Sequence, residues 1–501
     1  MSEPLLSELK SELLAIADLN SAAMVLEWDQ STYMPAAGAE ARGRQIALLG
    51  ELAHARRTAP RMTELFRGLA AVAERDDLDG ALVRRARKQW ERATCVPASL
   101  VSEIKNHTAR SYVAWTQAKP TGDFAAVRPF LEKTVELSRR YAECFSAREH
   151  ILDPLIDAND PGMTTQSIRA LFAALRAQLV PIVQAIAERP APDRSFLERH
   201  FPAEAQLAFG AEVAKELGYD FARGRQDLTV HPFMIRFAAD DIRITTRVDE
   251  HDLSDALFGT IHEAGHAMYE QGIAHTLDGT PLGEGVSAGV HESQSRLWEN
   301  LVGRSRAFWA RFLPVAQARF PEQLGDVDLD TFYRGINRVE RSLVRTESDE
   351  VTYNLHVMLR FDLEAQLLEG SLKVADLPEA WDARMASDLG VRPSSPTQGC
   401  MQDVHWYCTT IGGTFQGYAL GNVIAAQVFE SARAAMPDLD ARLSGGDFAS
   451  LRGWLTENLY QHGARYEPDE LVKRVTGKPI AIDAFVRHLK TKYGALYGVT
   501  F

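Results

Sequence analysis

Apolar residues recur at three- and four-residue intervals along most of this 501-residue chain. Near its start, Leu5, Leu9, Leu13 and Ile16 follow this spacing, which places them on one face of an amphipathic helix. Similar patterns occupy residues 39–56, 79–117, 122–150, 164–188 and 332–369. The chain is therefore predicted to be mainly α-helical.

One region has a different period. Alternate positions share their character in TVHPFMIRF (229–237) and in DIRITTRV (241–248), with residues 238–240 between them. A period of two is typical of strands. These segments predict a small antiparallel β-sheet.

Breaks between the periodic segments are short clusters of Pro, Gly and Asp, as at 153–162 and 391–399. Their lengths suit loops between helices, and none has the composition of a flexible linker. We expect one domain over residues 1–501.

The composition and the net charge disfavour several classes of function. A 46% hydrophobic content can build a large core, and a net charge of −13 disfavours nucleic acid or an anionic membrane as the main partner. The N-terminal segment lacks the apolar core of a signal peptide, and we expect no membrane span. Four cysteines without a CxxC pair indicate free thiols and a cytoplasmic protein.

The stretch HEAGH at 262–266 is the strongest chemical signal in the chain. It lies on a predicted helix with Ser254 as N-cap and Gly272 as its end. His262 and His266, four residues apart, project from one face and can bind a single zinc ion. Glu263 lies beside that ion, where a carboxylate can take a proton from water and pass it to the leaving amine. A pair of core histidines is the alternative.

A hydrolytic zinc site needs a third protein ligand and one open position. The segment SAGVHESQSRLWENLVG (287–303) is predicted to be a second helix and contains His291 and Glu292. Packed against the first helix, it can bring Glu292 to the metal. Spacing alone leaves open whether Glu292 is a ligand or a solvated side chain.

Several further stretches resemble motifs of one known family. The chain is similar to the Taq-type zinc metallocarboxypeptidases, whose motifs occur here in the family's order. They are WDQSTYMP (28–35), HPF (231–233), DIRIT (241–245), HEAGH, HESQS (291–295), VRTESD (344–349) and GCMQDVHW (399–406).

The resemblance implies both a fold and an activity. It implies a prolate helical fold with a deep active-site groove, the first 150 residues or so forming one wall, and a homodimer. It also implies one Zn²⁺, with Co²⁺ as a substitute, held by His262, His266 and Glu292, with Glu263 as general base and acid. The implied activity is release of single C-terminal residues from peptides, with broad specificity.

A carboxypeptidase must recognise a free terminal carboxylate, which arginine binds through two parallel hydrogen bonds. The candidates are Arg345 and Arg243. Arg345 stands four residues before Asp349, so a surface ion pair on a helix is its alternative; the resemblance favours the carboxylate role. Arg243 shares a strand face with Asp241 and Thr245, which line the groove or form a solvated face.

The remaining candidates are histidines and tyrosines. His405 suits a donor to the oxyanion that forms on the attacked carbonyl, and His231 suits either a substrate carbonyl or a buried strand face. Where the family has an aromatic-rich segment, this chain has GTFQGYALGN (413–422). Tyr418 is its matching tyrosine, and Tyr407 competes with it.

Asp403, Asp349 and Glu350 are the candidate acceptors for the ring N–H of a ligand histidine. Two other functions compete with the carboxypeptidase. One is an endopeptidase or aminopeptidase with the same metal; the other is a helical peptide-binding protein with a structural zinc. Against the latter, structural zinc sites usually have four Cys or His ligands.

Overall fold

The computed structural model of the protein describes residues 2–146 and 148–501. Helices contain most of these residues, which confirms the mainly α-helical prediction. The helices of the N-terminal part are α1 (Ser2–Thr32), α2 (Ala39–Arg57), α3 (Pro60–Gly68), α4 (Ala70–Ala73), α5 (Leu78–Cys95), α6 (Ala98–Ala118) and α7 (Phe124–Glu143).

The central part contains the sheet and the two helices that carry the metal motif. Its elements are α8 (Asp153–Asn159), α9 (Thr165–Ala187), α10 (Ala203–Leu217), β1 (Gln226–Leu228), β2 (Met234–Ala238), β3 (Asp241–Thr246), α11 (Leu253–Gly272) and α12 (Ala288–Arg296). A π-helix at Leu297–Gly303 follows α12 directly.

The rest of the chain is again helical. Its elements are α13 (Arg306–Arg319), α14 (Pro321–Leu324), α15 (Leu329–Ile336), α16 (Tyr353–Glu369), α17 (Leu377–Leu389), α18 (His405–Cys408), α19 (Phe415–Ala435), α20 (Leu439–Ser444), α21 (Phe448–Asn458), α22 (Pro468–Thr476) and α23 (Asp483–Tyr497).

Three boundaries differ from the sequence prediction. The segment 79–117 is two helices, because Pro97 separates α5 from α6. The segment 153–162, expected to be a loop, contains α8, with Pro154 in its first turn where proline is tolerated. The segment 332–369 is interrupted after α15. Asp349 accepts hydrogen bonds from the backbone N–H groups of Glu340 and Val351 there and holds the chain in a non-helical path.

The sheet has the strand order β1-β3-β2 and is mixed rather than purely antiparallel. The predicted pair is confirmed: β2 runs antiparallel to β3, with Met234 opposite Ile244. Strand β1 runs parallel to β3 and was missed, because three residues, QDL, are too few to show alternation. His231 precedes β2 and is exposed, so its placement on a strand face was wrong.

One helix, α9, is long and apolar enough to cross a membrane by length and composition, contrary to the expectation that no segment would be. It packs against α16, α17 and α23. Its side chains Ile168, Phe172, Leu175, Leu179, Ile182, Val183 and Ile186 are buried. One face of α9 is therefore part of the core.

Most buried apolar side chains between Leu6 and Tyr497 form one continuous core. Val96, Leu100 and Leu137 form a small separate cluster. The N-terminal helices contact the loops around the metal motif: Arg85 of α5 donates to the Val286 carbonyl (3.3 Å) and Trp115 of α6 to the Met401 carbonyl (2.9 Å). These contacts agree with a wall formed by the first 150 residues. That wall and the single domain stay predictions.

Helix α12 packs between α11 and α19, and glycines allow the close approach on both sides. A methyl group on Gly265 of α11 would lie 2.8 Å from the Gln294 carbonyl oxygen, and one on Gly421 of α19 would lie 2.7 Å from Glu292 Cβ. Both distances are shorter than a van der Waals contact. Small residues at these crossings therefore determine how near Glu292 comes to α11.

We expect Gly265→Ala to destabilise the protein by about 1–3 kcal/mol, because the added methyl group forces α11 and α12 apart. Gly259→Ala on the same helix is the control, since a methyl group there meets no atom within 4 Å. Alanine's better helix propensity should stabilise that variant by up to about 1 kcal/mol. Urea unfolding of the two variants measures the difference; equal changes would contradict the packing argument.

Candidate metal centre

Helix α11 presents the two motif histidines. Its N-cap is Asp252 rather than the predicted Ser254: the Asp252 carboxylate accepts the Ser254 N–H at 2.9 Å. The helix ends at Gly272 as predicted. Uninterrupted helix between these ends places His262 and His266 one turn apart on the same face.

Helix α12 brings the third candidate ligand. Ser287 is its N-cap and accepts the Val290 N–H at 3.1 Å. The buried carboxylate of Asp160 accepts the Gly289 N–H at 2.7 Å and the Gln416 amide of α19 at 3.0 Å. These bonds fasten the start of α12, one turn before Glu292.

Three ligand atoms converge. Glu292 Oε2 lies 3.7 Å from His262 Nε2 and 3.4 Å from His266 Nε2, and the three residues form a candidate metal cluster. Ligands about 2 Å from a tetrahedral ion stand at about this mutual separation. Because all three atoms carry lone pairs, their convergence fits a divalent cation.

Each ligand side chain is held from behind. His262 Nδ1–H donates to Glu299 Oε2 at 2.9 Å, which leaves Nε2 free to bind a metal. Arg296 donates to Glu292 Oε1 at 2.7 Å, so Oε2 remains for the ion. Burial raises the pKa of the Glu292 carboxyl, whereas the positive charge of Arg296 lowers it. The net result is a pKa well below the usual range.

His266 has an unusual outer partner, a second histidine. Its Nδ1 lies 2.6 Å from Nδ1 of His291, whose Nε2 lies 3.0 Å from Glu270 Oε1. A metal bound to His266 Nε2 would leave the ring proton on Nδ1, so that His266 would donate to His291 and His291 would donate to Glu270. Burial lowers the pKa of His266 to about 3, which keeps its imidazole neutral.

The predicted outer partners lie elsewhere. Asp403 binds Arg345 and Arg360, Asp349 accepts hydrogen bonds from backbone N–H groups, and Glu350 accepts from His488, Lys492 and Tyr493. The local sequence does not indicate these pairs, because most of the partners are distant along the chain. The spacing of acidic residues along the helices could have indicated the observed partners, Glu270 and Glu299. Glu270 follows His266 by four residues, and Glu299 follows Glu292 by seven.

Glu263 is 7% exposed. Within residues 2–146 and 148–501, its carboxylate accepts no hydrogen bond from the protein. Burial raises its pKa to about 7. A carboxylate with this environment beside a metal is suited to accept a proton and return it.

Arg345 lies in a 3-10 turn, Arg345–Glu347, not on a helix, so the surface ion pair with Asp349 was wrong. Its guanidinium is buried and donates to Asp403 Oδ1 from Nε (3.1 Å) and Nη2 (3.0 Å), and to the Tyr353 hydroxyl from Nη1 (3.0 Å). Gln402 accepts its backbone N–H at 2.9 Å. The motif GCMQDVHW thus holds the arginine of VRTESD.

Tyr353 connects this arginine to the metal centre and was not found from the sequence. Its ring lies 4.4 Å below the guanidinium of Arg296, the residue that binds Glu292. Its hydroxyl accepts from Arg345. The sequence offered an indirect indication of this contact, namely a tyrosine eight residues after Arg345.

His405 and Tyr418 lie beside each other, close to Arg345. His405 Nε2 lies 3.3 Å from the Tyr418 hydroxyl, and the Arg345 guanidinium lies 5.1 Å from the Tyr418 ring. Burial, together with Arg345, lowers the pKa of His405 to about 4, so the ring is neutral at pH 7. Tyr407 is fully buried and stacks on Trp115, which identifies it as a core residue.

The candidates on β3 are committed to other contacts. Arg243 donates to Asp241 through two 2.8 Å bonds and stacks on Trp28 of α1 at 4.4 Å. Thr245 is 0% exposed, and its hydroxyl bonds the Phe233 backbone, so it cannot line a groove. A substrate role for Arg243, Asp241 and the exposed His231 stays a prediction.

Comparison with known proteins agrees with this geometry. The model of the carboxypeptidase Taq (M32) metallopeptidase family matches residues 8–493. The chain belongs to this family. It is therefore a peptide hydrolase of the metallocarboxypeptidase class, and the resemblance of its motifs is confirmed.

Individual relatives cover nearly the whole chain. Thermostable carboxypeptidase 1 of Thermus thermophilus is 41% identical, with 98% of each chain covered. Carboxypeptidase 1 of Bacillus subtilis is 37% identical, with 96% of each covered. The crystal structure of an M32 carboxypeptidase from Deinococcus radiodurans R1 has a TM-score of 0.96 at 49% identity, over 99% of this chain and 100% of that one.

Glu299→Gln should weaken the binding of a divalent ion about 10- to 100-fold, because the outer partner of His262 loses its charge. Competition between the protein and a chelator for Zn²⁺ measures the affinity. Glu322→Gln on α14 is the control, since Glu322 is exposed. Equal affinities of the two variants would show that Glu299 does not support the ligand.

Proposed function

We propose that the protein is a zinc-dependent carboxypeptidase that releases single residues from the free C-termini of peptides. The observation that carries this proposal is the contact chain from Glu292 through Arg296 and Tyr353 to Arg345. It joins a candidate metal triad to a buried arginine. A terminal carboxylate at Arg345 would place its own peptide bond near the metal.

His262, His266 and Glu292 are the residues that would hold the zinc. When bound, this ion supplies a Lewis acid that activates water and polarises the scissile carbonyl. Glu299, Arg296 and His291 orient the three ligands from outside. Three protein ligands leave a position for chemistry, as a hydrolytic site requires.

Glu263 moves the proton. Its carboxylate takes a proton from the attacking water and delivers it to the nitrogen of the departing residue. A pKa near 7 suits both steps, because the acid and base forms are then close in free energy at neutral pH.

His405 and Tyr418 donate to the oxyanion of the attacked carbonyl. Neutral His405 carries one ring N–H, and the Tyr418 hydroxyl keeps its proton because burial raises its pKa. Each such donor is typically worth about 2.7–4 kcal/mol of transition-state stabilisation.

Arg345 binds the terminal carboxylate. Of its five N–H donors, Asp403 takes two and Tyr353 takes one, so Nη1 and Nη2 each keep one. These two N–H groups can bind both oxygens of a carboxylate. Arg360, which is fully buried, also binds Asp403 (2.5 Å) and leaves the cluster with net positive charge.

Broad side-chain specificity, a homodimer and a cytoplasmic location complete the proposal. They rest on the family resemblance and on the composition of the chain. Co²⁺ is expected to substitute for Zn²⁺, because both ions accept imidazole and carboxylate ligands.

Glu263→Gln should keep its metal and lose turnover by about 10²–10⁴-fold, because the amide cannot take a proton. Elemental analysis gives the metal content, and hydrolysis of a free-acid peptide gives the turnover. Chelation of the wild-type protein should abolish activity, and added Zn²⁺ should restore it. Loss of metal from Glu263→Gln would instead assign the glutamate a structural role.

Arg345→Gln should raise KM for free-acid peptides about 10- to 100-fold, since charge-assisted hydrogen bonds worth about 1.5–3 kcal/mol are lost. Mass spectrometry on one unstructured peptide, offered as acid and as C-terminal amide, measures the preference. The wild-type protein should produce a ladder of single losses from the acid alone.

Arg243→Gln is the matched control for this experiment and should keep the acid preference, because Arg243 is paired with Asp241. Loss of the preference in Arg243→Gln but not in Arg345→Gln would exchange the two roles. Internal cleavage of both peptides by the wild-type protein would make it an endopeptidase.

A further inference from the structure

Helix α16 holds both sides of the segment that carries His405. Arg360 of this helix donates to Asp403 Oδ2 at 2.5 Å. Glu364, one turn later, accepts the indole N–H of Trp406 through Oε1 at 2.8 Å. Asp403 lies two residues before His405, and Trp406 directly follows it. The backbone of His405 therefore lies between two side chains that are bound to one helix.

The imidazole of His405 has few polar contacts of its own. Its Nε2 lies 3.3 Å from the Tyr418 hydroxyl. Its Nδ1 is buried and has no hydrogen-bond partner among residues 2–146 and 148–501, since Asp403 Oδ1 stands 3.8 Å away. One long hydrogen bond does not fix the direction of the ring. That direction therefore depends on the neighbouring residue, Trp406.

Trp406 anchors this segment. It is buried, and its ring meets the ring of Trp381 edge to face, with the centroids 5.7 Å apart. In the part of the chain that the structure describes, Glu364 is the acceptor of its indole N–H. Tryptophan has a single side-chain donor. This bond, together with the contact with Trp381, therefore fixes how the indole is rotated.

Glu364 is an unusual residue for a position that needs only an acceptor. It is buried, and its Oε2 has no hydrogen-bond partner within the described residues. Burial raises the pKa of Glu364 to about 8, against the opposing effects of the Trp406 indole and the Gly412 backbone N–H. The side chain is therefore mostly uncharged at pH 7. An incompletely paired carboxyl weakens the fold, and proteins accept such exceptions mainly at functional sites.

The same helix also holds the loop that leads into α19, the helix that carries Tyr418. A methyl group on Gly412 of this loop would lie 2.5 Å from Leu368 Cδ1 of α16, so the loop packs directly on the helix. The Gly412 N–H also acts on the Glu364 carboxyl. Glu364 therefore lies where the segment of His405 meets the loop before Tyr418.

We propose that Glu364 is a positioning residue, which holds the Trp406 indole and thereby fixes His405 beside Tyr418, so that both donors point at one oxyanion. This inference rests on the proposed function, because it takes His405 and Tyr418 as the oxyanion donors. Glu364 is buried and acts through Trp406. Its contribution is to kcat rather than to substrate binding, since the oxyanion forms only on the way to the transition state.

Glu364→Leu should lower kcat for a free-acid peptide about tenfold or more and leave KM within about twofold, because the misplaced donor acts only in the transition state. Glu364→Gln should retain most of the activity, since its amide oxygen can accept the same N–H. Gln366→Leu on the same helix is the matched control, because the Gln366 side chain makes no hydrogen bond within residues 2–146 and 148–501. Steady-state kinetics of the metal-loaded variants measures the difference.

A double variant shows whether Glu364 acts through His405. His405→Ala should itself lower kcat, and the addition of Glu364→Leu should cause little further loss. Full additivity of the two losses would overturn the inference, as would an equal loss in Glu364→Gln and Glu364→Leu. If His405→Ala is impaired but Glu364→Leu is not, only the inference fails. A His405→Ala variant with wild-type kcat would overturn the proposed oxyanion role as well.

The hydrogen bond also has a readout that does not depend on activity. In a proton–nitrogen correlation spectrum of tryptophan-labelled protein, Trp406→Phe assigns the indole signal of Trp406. This signal should move in Glu364→Leu and keep its place in Gln366→Leu, because only the first variant removes the acceptor. An unchanged signal in Glu364→Leu would contradict the inference, whatever the kinetics of that variant.

Discussion

Three lone pairs that point at one position are the constraint on which the rest of this structure depends. His262, His266 and Glu292 bring two nitrogens and an oxygen within 4.8 Å of each other on helices that are otherwise tightly packed. Without a cation, such an arrangement is repulsive. The fold holds it through Gly265 and Gly421, which let the helices approach, and through outer partners that fix each side chain.

Those outer partners require an unusual amount of buried charge. Glu299, Arg296 and Arg304 form one group behind His262, and Glu270 with Arg236 forms another behind His291. A buried charge without a partner is costly, whereas a hydrogen-bonded pair is tolerated and rigid. The candidate metal ligands therefore owe their orientation to ion pairs of residues outside the triad.

The side chains around Arg345 are likewise fixed by buried contacts between charged and polar groups. Asp403 lies between Arg345 and Arg360, and Tyr353 lies between Arg345 and Arg296. Glu292, a candidate metal ligand, is thereby linked by direct contacts to the proposed carboxylate site.

The sequence by itself determined what depends on local spacing. Helical periodicity predicted most helices, alternation predicted β2 and β3, and the four-residue separation of His262 and His266 predicted their common face. It did not reveal β1, the break before Arg345, or the roles of Glu299, Glu270 and Tyr353. These depend on residues far apart in the chain that meet only after packing. Asp403 pairs with Arg345 across 58 positions, and Asp160 caps α12 across 129. Burial, which removes competing water and makes such contacts strong, is decided by the tertiary structure alone.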